Sequence, residues 1–315
     1  MNFWDQFGAG FTCLAPMEGV TNLAFRQVVA RAGRPEVFFT EFTNVSSYAS
    51  EQGRPNALAR LKFLPEEQPM VAQIWGVNPE HFAVTADGVR ELGYQAVDIN
   101  MGCPDKHVVA SGGGAALSKN PELAVEIITA TKQAGLSTSV KTRLGYSKVE
   151  EWREWLTRLL EQDLAALMVH LRTKKEMSKV AAHAELVPEI VALRNELAPQ
   201  TKLIINGDIK TPEEGQNFIK FGADGLMIGR GVFADPWCFC VPARRAAVTQ
   251  KERFELLEYH LDLFDQYEMA PFDPLKRFFK IYVHDFNGAA ELRERLMNCR
   301  STEEARSVLR QTDLV

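Results

Sequence analysis

The residues best placed to do chemistry lie in one stretch, Asp98-Ile99-Asn100-Met101-Gly102-Cys103-Pro104, followed closely by Ser111-Gly112-Gly113-Gly114-Ala115-Ala116-Leu117. A short apolar run ends there in polar residues, and a thiol sits between a glycine and a proline. Glycine allows unusual backbone angles and close approach of a ligand. Proline fixes its own φ and pushes the preceding residue out of helical geometry. Cys103 is therefore expected at the tip of a strand rather than inside one, and the glycines read as a backbone-exposing loop before a helix. A thiol of ordinary pKa, about 8.5, stays protonated at neutral pH and can donate a proton. Cationic neighbours would turn the same group into a nucleophile.

A strand must lie beneath that thiol, and the chain supplies eight candidates. Short, largely apolar runs occur at 11–15, 36–40, 70–74, 96–100, 138–143, 166–170, 202–206 and 225–229. Runs apolar nearly throughout are the pattern of parallel strands covered on both faces. Amphipathic segments lie between them at 22–31, 78–92, 121–133, 149–162, 184–197 and 211–221. Thr21 or Asn22, Asn78-Pro79, Asn120-Pro121 and Thr211-Pro212 read as helix starts, and Gly93, Gly135 and Gly222 as helix stops. The fold class expected is α/β: eight such strands favour a (β/α)8 TIM barrel over the alternative, an open doubly wound sheet, and no GxGxxG follows the first strand to support the latter. From about residue 243 the strands cease. Helices are expected at 250–267, 274–286, 289–297 and 302–310, with Asp273 and Ser301 as caps. The chain thus divides into a barrel over 1–242 and a helical domain over 243–315.

In such barrels chemistry sits at the C-terminal strand ends. Those ends carry Pro16-Met17-Glu18, Thr40-Glu41, Gln73, Asn100 with Cys103, Lys141 with Arg143, His170 with Arg172, Asn206-Gly207-Asp208 and Gly229-Arg230-Gly231. Residues two apart on a strand share a face, so Lys141 pairs with Arg143 and His170 with Arg172. The mouth is expected to be cationic on a chain of net charge −5. The last two strand ends are where barrels commonly bind phosphate through backbone N–H groups. A cofactor with a phosphate tail and a polar ring, such as flavin mononucleotide, fits that layout, with Lys141 at the ring's pyrimidine edge.

Bulk properties exclude other classes. The negative net charge argues against a protein that coats nucleic acid non-specifically, though not against a local basic face. No apolar run reaches about 18 residues, and Met1 to Gly10 has no signal-peptide pattern. Five cysteines, few and odd in number, suit a reducing cytoplasm. Cys238 and Cys240 are too few ligands for a zinc site, so no metal is expected.

Together these motifs resemble the tRNA-dihydrouridine synthases across nearly the whole chain. The resemblance is carried by Ala15-Pro16-Met17-Glu18-Gly19-Val20, the cysteine motif with its glycine loop, Lys141-Thr142-Arg143-Leu144-Gly145 and Val169-His170-Leu171-Arg172-Thr173. Asn206-Gly207-Asp208-Ile209, Ile228-Gly229-Arg230-Gly231 and, in the tail, Leu275-Lys276-Arg277 with Tyr282 complete it. It implies FMN held by Pro16, Met17, Gln73, Lys141, His170, Asn206, Gly207, Asp208, Gly229 and Arg230. It implies Cys103 as proton donor in a reduction of uridine in tRNA driven by NADPH, with NADH as the alternative reductant.

Asn100, Arg143 and Arg172 are the candidate contacts to the uracil, with either arginine able to face the carbonyl at carbon 4. The target base must leave its stack to reach the mouth. The tail is expected to hold the RNA through Lys276, Arg277, Lys280, Arg293 and Arg295 on phosphates and Tyr282 or Phe286 for stacking. Yet 243–315 carries 12 Lys/Arg against 13 Asp/Glu, so any basic face there is local. One segment departs from the family's pattern: Lys174-Lys175-Glu176-Met177-Ser178-Lys179 follows Arg172-Thr173, which bears on the choice of uridine rather than on the reaction. A monomer is expected, with no membrane partner. Two other readings remain open: an FMN dehydrogenase of a free pyrimidine or other small molecule, and a catalytically silent RNA-binding barrel.

Overall fold

A computed structural model describes residues 2–312. By internal contact it forms two compact units. The first comprises 2–18 and Pro35–Gly229; the second comprises Gly19–Arg34 and 230–312. This division differs from a boundary at 242, because the helix after the first strand groups with the tail.

The first unit is built on nine parallel strands: β1 (Phe11–Leu14), β2 (Phe38–Phe39), β3 (Thr43–Asn44), β4 (Met70–Trp75), β5 (Ala96–Met101), β6 (Ser137–Arg143), β7 (Ala166–His170), β8 (Lys202–Asn206) and β9 (Gly225–Ile228). Eight follow one another in the order β1-β9-β8-β7-β6-β5-β4-β2, and the short β3 adds a pairing along β4. The ring closes between β1 and the residue before β2. Cys13 and Val37 form a parallel bridge, with Leu14 N donating to Val37 O at 3.0 Å and Val37 N to Thr12 O at 3.1 Å. The TIM barrel expected from eight apolar runs is thus observed.

Alternation sorts each strand's side chains between inside and outside. On β5, Val97, Ile99 and Met101 point one way, and Ala96, Asp98 and Asn100 the other. The lower barrel interior is apolar, with Cys13, Val37, Phe39, Val71, Ala96, Ala166, Met168, Ile204 and Met227 in one cluster. Phe3 and Trp4 join that cluster from an N-terminal turn, Phe3–Gln6. Phe3 N donates to Ser137 Oγ at 2.9 Å, at the start of β6, so the turn closes the end of the barrel opposite the strand tips. Outside, the Trp155 ring N–H donates to Thr142 at 2.8 Å, which ties the helix Trp152–Leu160 to β6.

Asn78 and Asn120 cap their helices as expected, and Asn22 does so in the second unit. Thr211-Pro212 does not. The helix there is Gln216–Phe221, preceded by turns. The backbone at Gly215 lies against the Leu226 side chain, where a Cβ would come within 2.4 Å.

The second unit is helical. Leu23–Ala32 places Phe25 against Phe278, ring centroids 4.6 Å apart, and against Phe233 and His260. The long helix Gln250–Gln266 starts at Thr249 in a capping box with Glu252, and Ser301 caps Thr302–Arg310. The single helix expected over 274–286 is instead a 3-10 turn, Asp273–Phe278, and a short helix, Phe279–Tyr282. Asp273 is the first residue of that turn, not its cap. Leu275, Phe278, Phe279, Ile281 and Tyr282 are all buried.

Candidate active site

Cys103 follows β5 at its C-terminal end and is partly exposed. Its backbone is pinned at both sides. Its N–H donates to Asn100 Oδ1 at 2.9 Å, as does that of Gly102 at 3.1 Å. Its carbonyl accepts from Ala115 N at 3.0 Å. Gly114 adopts φ +56, and a Cβ there would meet Cys103 O at 2.8 Å. Only glycine suits both that backbone angle and that approach.

Beneath the cysteine runs a chain of buried polar groups. Asn100 Nδ2 donates to Gln73 Oε1 at 3.0 Å. Gln73 Nε2 donates to Asp98 Oδ2 at 2.7 Å, and Ser139 Oγ donates to Asp98 Oδ1 at 2.9 Å. Burial raises the Asp98 carboxyl to about 7, against the pull of its hydrogen bonds and of Lys141. Asp98 was legible only as part of an apolar strand; its role needed the register that sets it beside Gln73 and Ser139.

The cations stand next to this column. Lys141 Nζ donates to Asn206 Oδ1 at 3.3 Å, and Asn206 Nδ2 is anchored on Met227 O at 2.8 Å. Burial and the neighbouring Arg143 lower the lysine to about 8. Arg143 Nε donates to Gly102 O at 2.7 Å, and Nη1 donates to Met177 O at 3.0 Å and to Thr173 O at 3.3 Å. The same Nη1 lies 3.5 Å from His170 Nδ1. Arg143 thus ties the cysteine loop to the loop after β7. Burial pushes the Cys103 thiol up, and Arg143 and Lys141 pull it down without reversing the shift. The thiol is therefore held in its protonated form rather than as a thiolate.

Arg172 takes a different place. Its side chain is 2% exposed and ion-paired with Asp208, while its Nε donates to Val180 O at 2.7 Å. Asp208 also accepts from Ala182 N at 2.9 Å. The pair fastens the loop after β7 to the end of β8, while the Arg172 Nη1 is buried without a hydrogen-bond partner among the described residues. Gly207 has φ +126, a conformation that sets the peptide ahead of Asp208. At the end of β9, half-exposed Gly229 leaves space in which a Cβ would lie 3.5 Å from Ala15 and 3.7 Å from the sulfur of half-buried Met17. Pro16, beside it, is half-buried too. Among the described residues no three His, Cys, Asp or Glu side chains are grouped to hold a metal.

Comparison with known proteins decides the family. Residues 13–314 match the family model described as dihydrouridine synthase. The chain belongs to the dihydrouridine synthase family. A probable tRNA-dihydrouridine synthase 2 of Bacillus subtilis (strain 168) is 52% identical over 312 residues, covering 98% of this chain and 95% of that one. A probable tRNA-dihydrouridine synthase of Staphylococcus epidermidis is 51% identical with the same coverage. Among solved structures, morphinone reductase in complex with tetrahydroNAD aligns with a TM-score of 0.51 at 13% identity, over 75% of this chain and 86% of that one. Histamine dehydrogenase from Rhizobium aligns with a TM-score of 0.54 at 12% identity, over 96% and 63%. At those identities the likeness is one of fold.

In this member of the dihydrouridine synthase family the mouth residues Gln73, Asn100, Cys103, Lys141, Arg143, His170 and Asn206 form one connected group. Arg230 falls in the second unit. There, Lys276 is ion-paired with Asp273 at 2.7 Å and mostly covered. Arg277 is exposed, with bonds to Pro274 O and Gly19 O, and Lys280 is exposed. Arg293 donates to Val283 O at 2.7 Å and Arg295 to Gln311 at 2.6 Å.

Tyr282 corrects an expectation. It is fully buried, its hydroxyl 2.7 Å from His260 Nδ1. Burial lowers His260 to about 3, so the tyrosine's partner is a neutral ring. Tyr282 offers no face for a base. An aromatic residue in an amphipathic run is more often core than platform, and the sequence carried no signal to separate the two. Among the described residues no helix is long and apolar enough to cross a membrane.

Proposed function

We propose that the protein reduces uridine to 5,6-dihydrouridine in tRNA, with FMN as its flavin, NADPH as reductant and Cys103 as the proton donor. The observation that carries the reading is a neutral thiol, pinned at a strand tip, beside a desolvated lysine on the adjacent strand. Lys141 has no carboxylate within ion-pair distance among the described residues; its hydrogen-bond partner is an amide oxygen. A desolvated cation with no carboxylate in direct contact favours an electron-rich group brought to it.

That property fits a flavin. Lys141, Asn206, Gln73 and His170 would hold its ring. Pro16 and Met17 would flank it, and Gly207, Asp208, Gly229 and Arg230 would hold its phosphate. When bound and reduced, FMN supplies the hydride for carbon 6 of the uracil. Cys103 Sγ–H then delivers the proton to carbon 5. Arg143 lies beside Cys103 and is the arginine suited to the carbonyl at carbon 4; Arg172 is buried and pairs with Asp208 through Nη2. The pinned backbone of residues 102–103 fixes where the thiol stands, which is the larger part of a proton donor's usefulness. Arg277 and Lys280, exposed on the helical unit, are the proposed phosphate contacts for tRNA.

The test uses NADPH, purified flavin-loaded protein and unmodified tRNA, with dihydrouridine mapped in the product. Dihydrouridine in tRNA but none from free uridine or uracil supports the reading. Turnover of a free pyrimidine in place of tRNA, or no bleaching of the protein's yellow colour by NADPH, overturns it.

A further inference from the structure

Asp98 lies well below the thiol in the barrel, on β5 and fully buried, and no step of the mechanism touches it. Its two oxygens accept from two neighbours, Ser139 and Gln73. Only the Gln73 branch leads onward. Gln73 must turn its amide nitrogen to the carboxylate, which leaves Oε1 to receive Asn100 Nδ2. Asn100 must then turn Oδ1 upward, where the N–H groups of Gly102 and Cys103 meet it. A side-chain amide has one donor end and one acceptor end, so each orientation dictates the next. An acceptor at the bottom and two backbone donors at the top agree on a single polarity.

We infer that Asp98 is a positioning residue for Cys103, acting through the amides of Gln73 and Asn100 to set the backbone that carries the thiol. The inference rests on the reading of Cys103 as the proton donor. What the relay needs from position 98 is an acceptor, not a charge. Asparagine meets that need: its oxygen can face Gln73 while its NH2 faces Ser139, whose hydroxyl can turn to Val97 O, 3.3 Å away. Alanine does not, and it leaves a buried amide donor unpaired. Charged or titratable groups that feel Asp98 are Lys141 from β6 and Cys13 from β1. Replacing the carboxyl therefore also lowers the lysine's proton affinity wherever Asp98 is ionised, and turnover is best compared at pH 6.5, below the value of about 7 for Asp98, where position 98 is largely neutral and Lys141 stays charged.

The experiment compares D98A, D98N and S139A in the wild-type and N100A backgrounds. Two quantities are read: kcat on tRNA, and the rate at which Cys103 is alkylated by iodoacetamide, followed on its own peptide by mass spectrometry. Expected results are a loss of about 10- to 100-fold in kcat for D98A, with a several-fold change in the Cys103 alkylation rate. D98N and S139A stay within about threefold of wild type in both. In the N100A background D98A causes little further loss, because the relay is already cut.

The inference is overturned if D98N falls as far as D98A, if S139A does, or if D98A slows the N100A enzyme by its full factor. Should D98A fail to fold, D98N and S139A decide alone: retention supports the relay and a loss of tenfold or more in either removes it. C103A separates the two readings. Full turnover in C103A removes the proton donor itself, whereas an inactive C103A beside an unimpaired D98A removes only the role of Asp98.

Discussion

Lys141 gives the proposed site a pH dependence that starts in the flavin-free protein. Its amine is lowered from an ordinary value to about 8 by burial and by Arg143. The sign follows from which form binds. If the charged amine holds the pyrimidine edge of FMN, affinity is full below pH 8 and falls as the amine deprotonates above it. The fall approaches tenfold per pH unit. A hydrogen bond to a charged group contributes about 1.5–3 kcal/mol, so the weakening levels off at about 10- to 150-fold.

The assay is titration of apoprotein with FMN by quenching of flavin fluorescence, at intervals from pH 6.5 to 9.5. Two substitutions move the curve in known ways. K141M abolishes the dependence and holds Kd at the weak plateau. D98N removes a carboxylate that raises the lysine, so its curve shifts to lower pH. A titration belonging to the flavin itself would ignore both substitutions. A Kd flat from pH 7 to 9.5, or a curve unchanged in D98N, would refute the reasoning.

Further outcomes follow from the same geometry. C103A is expected to retain FMN and tRNA binding and to lose about 100-fold or more in kcat, the usual scale for a missing general acid; equilibrium binding and single-turnover kinetics check this. Because the Cys103 thiol is raised, its alkylation rate in the holoenzyme should still be climbing above pH 9, and a plateau below pH 8 would contradict it. G114A puts a Cβ into the Cys103 carbonyl at a positive φ. It should lower stability by about 1–3 kcal/mol and depress kcat while leaving the KM for tRNA near wild type. R277E with K280E should raise the KM for tRNA several-fold and reduce its salt dependence by about two phosphate contacts, with kcat unchanged.

How far the sequence could be read depended on whether chemistry or geometry supplied the signal. Eight apolar runs identified the barrel because a strand buried on both faces has few other ways to look. Cys103, Lys141 and Arg143 stood out because polar residues at strand ends of such a barrel cluster at its mouth. Arg172 and Tyr282 were harder to place for the same reason. An arginine at a strand tip and a tyrosine in a helix carry no local mark of whether an Asp208 or a His260 will fold against them. Asp98 was passed over because a lone acid inside an apolar run reads as part of the strand until its neighbours on β4 and β6 are known. The N-terminal turn that seats Trp4 under the barrel was likewise invisible, since nothing in residues 2–7 names the cavity they fill.

The chain passes between its two compact units three times, after Glu18, after Arg34 and after Gly229. A chimaera that borrowed only the C-terminal helices of a relative would therefore inherit an incomplete folded body. The missing piece is the helix Leu23–Ala32, whose Phe25 was shaped to a different Phe278. Swaps intended to transplant a preference for one uridine should carry 19–34 together with 230–312, and drift in either segment should be answered in the other.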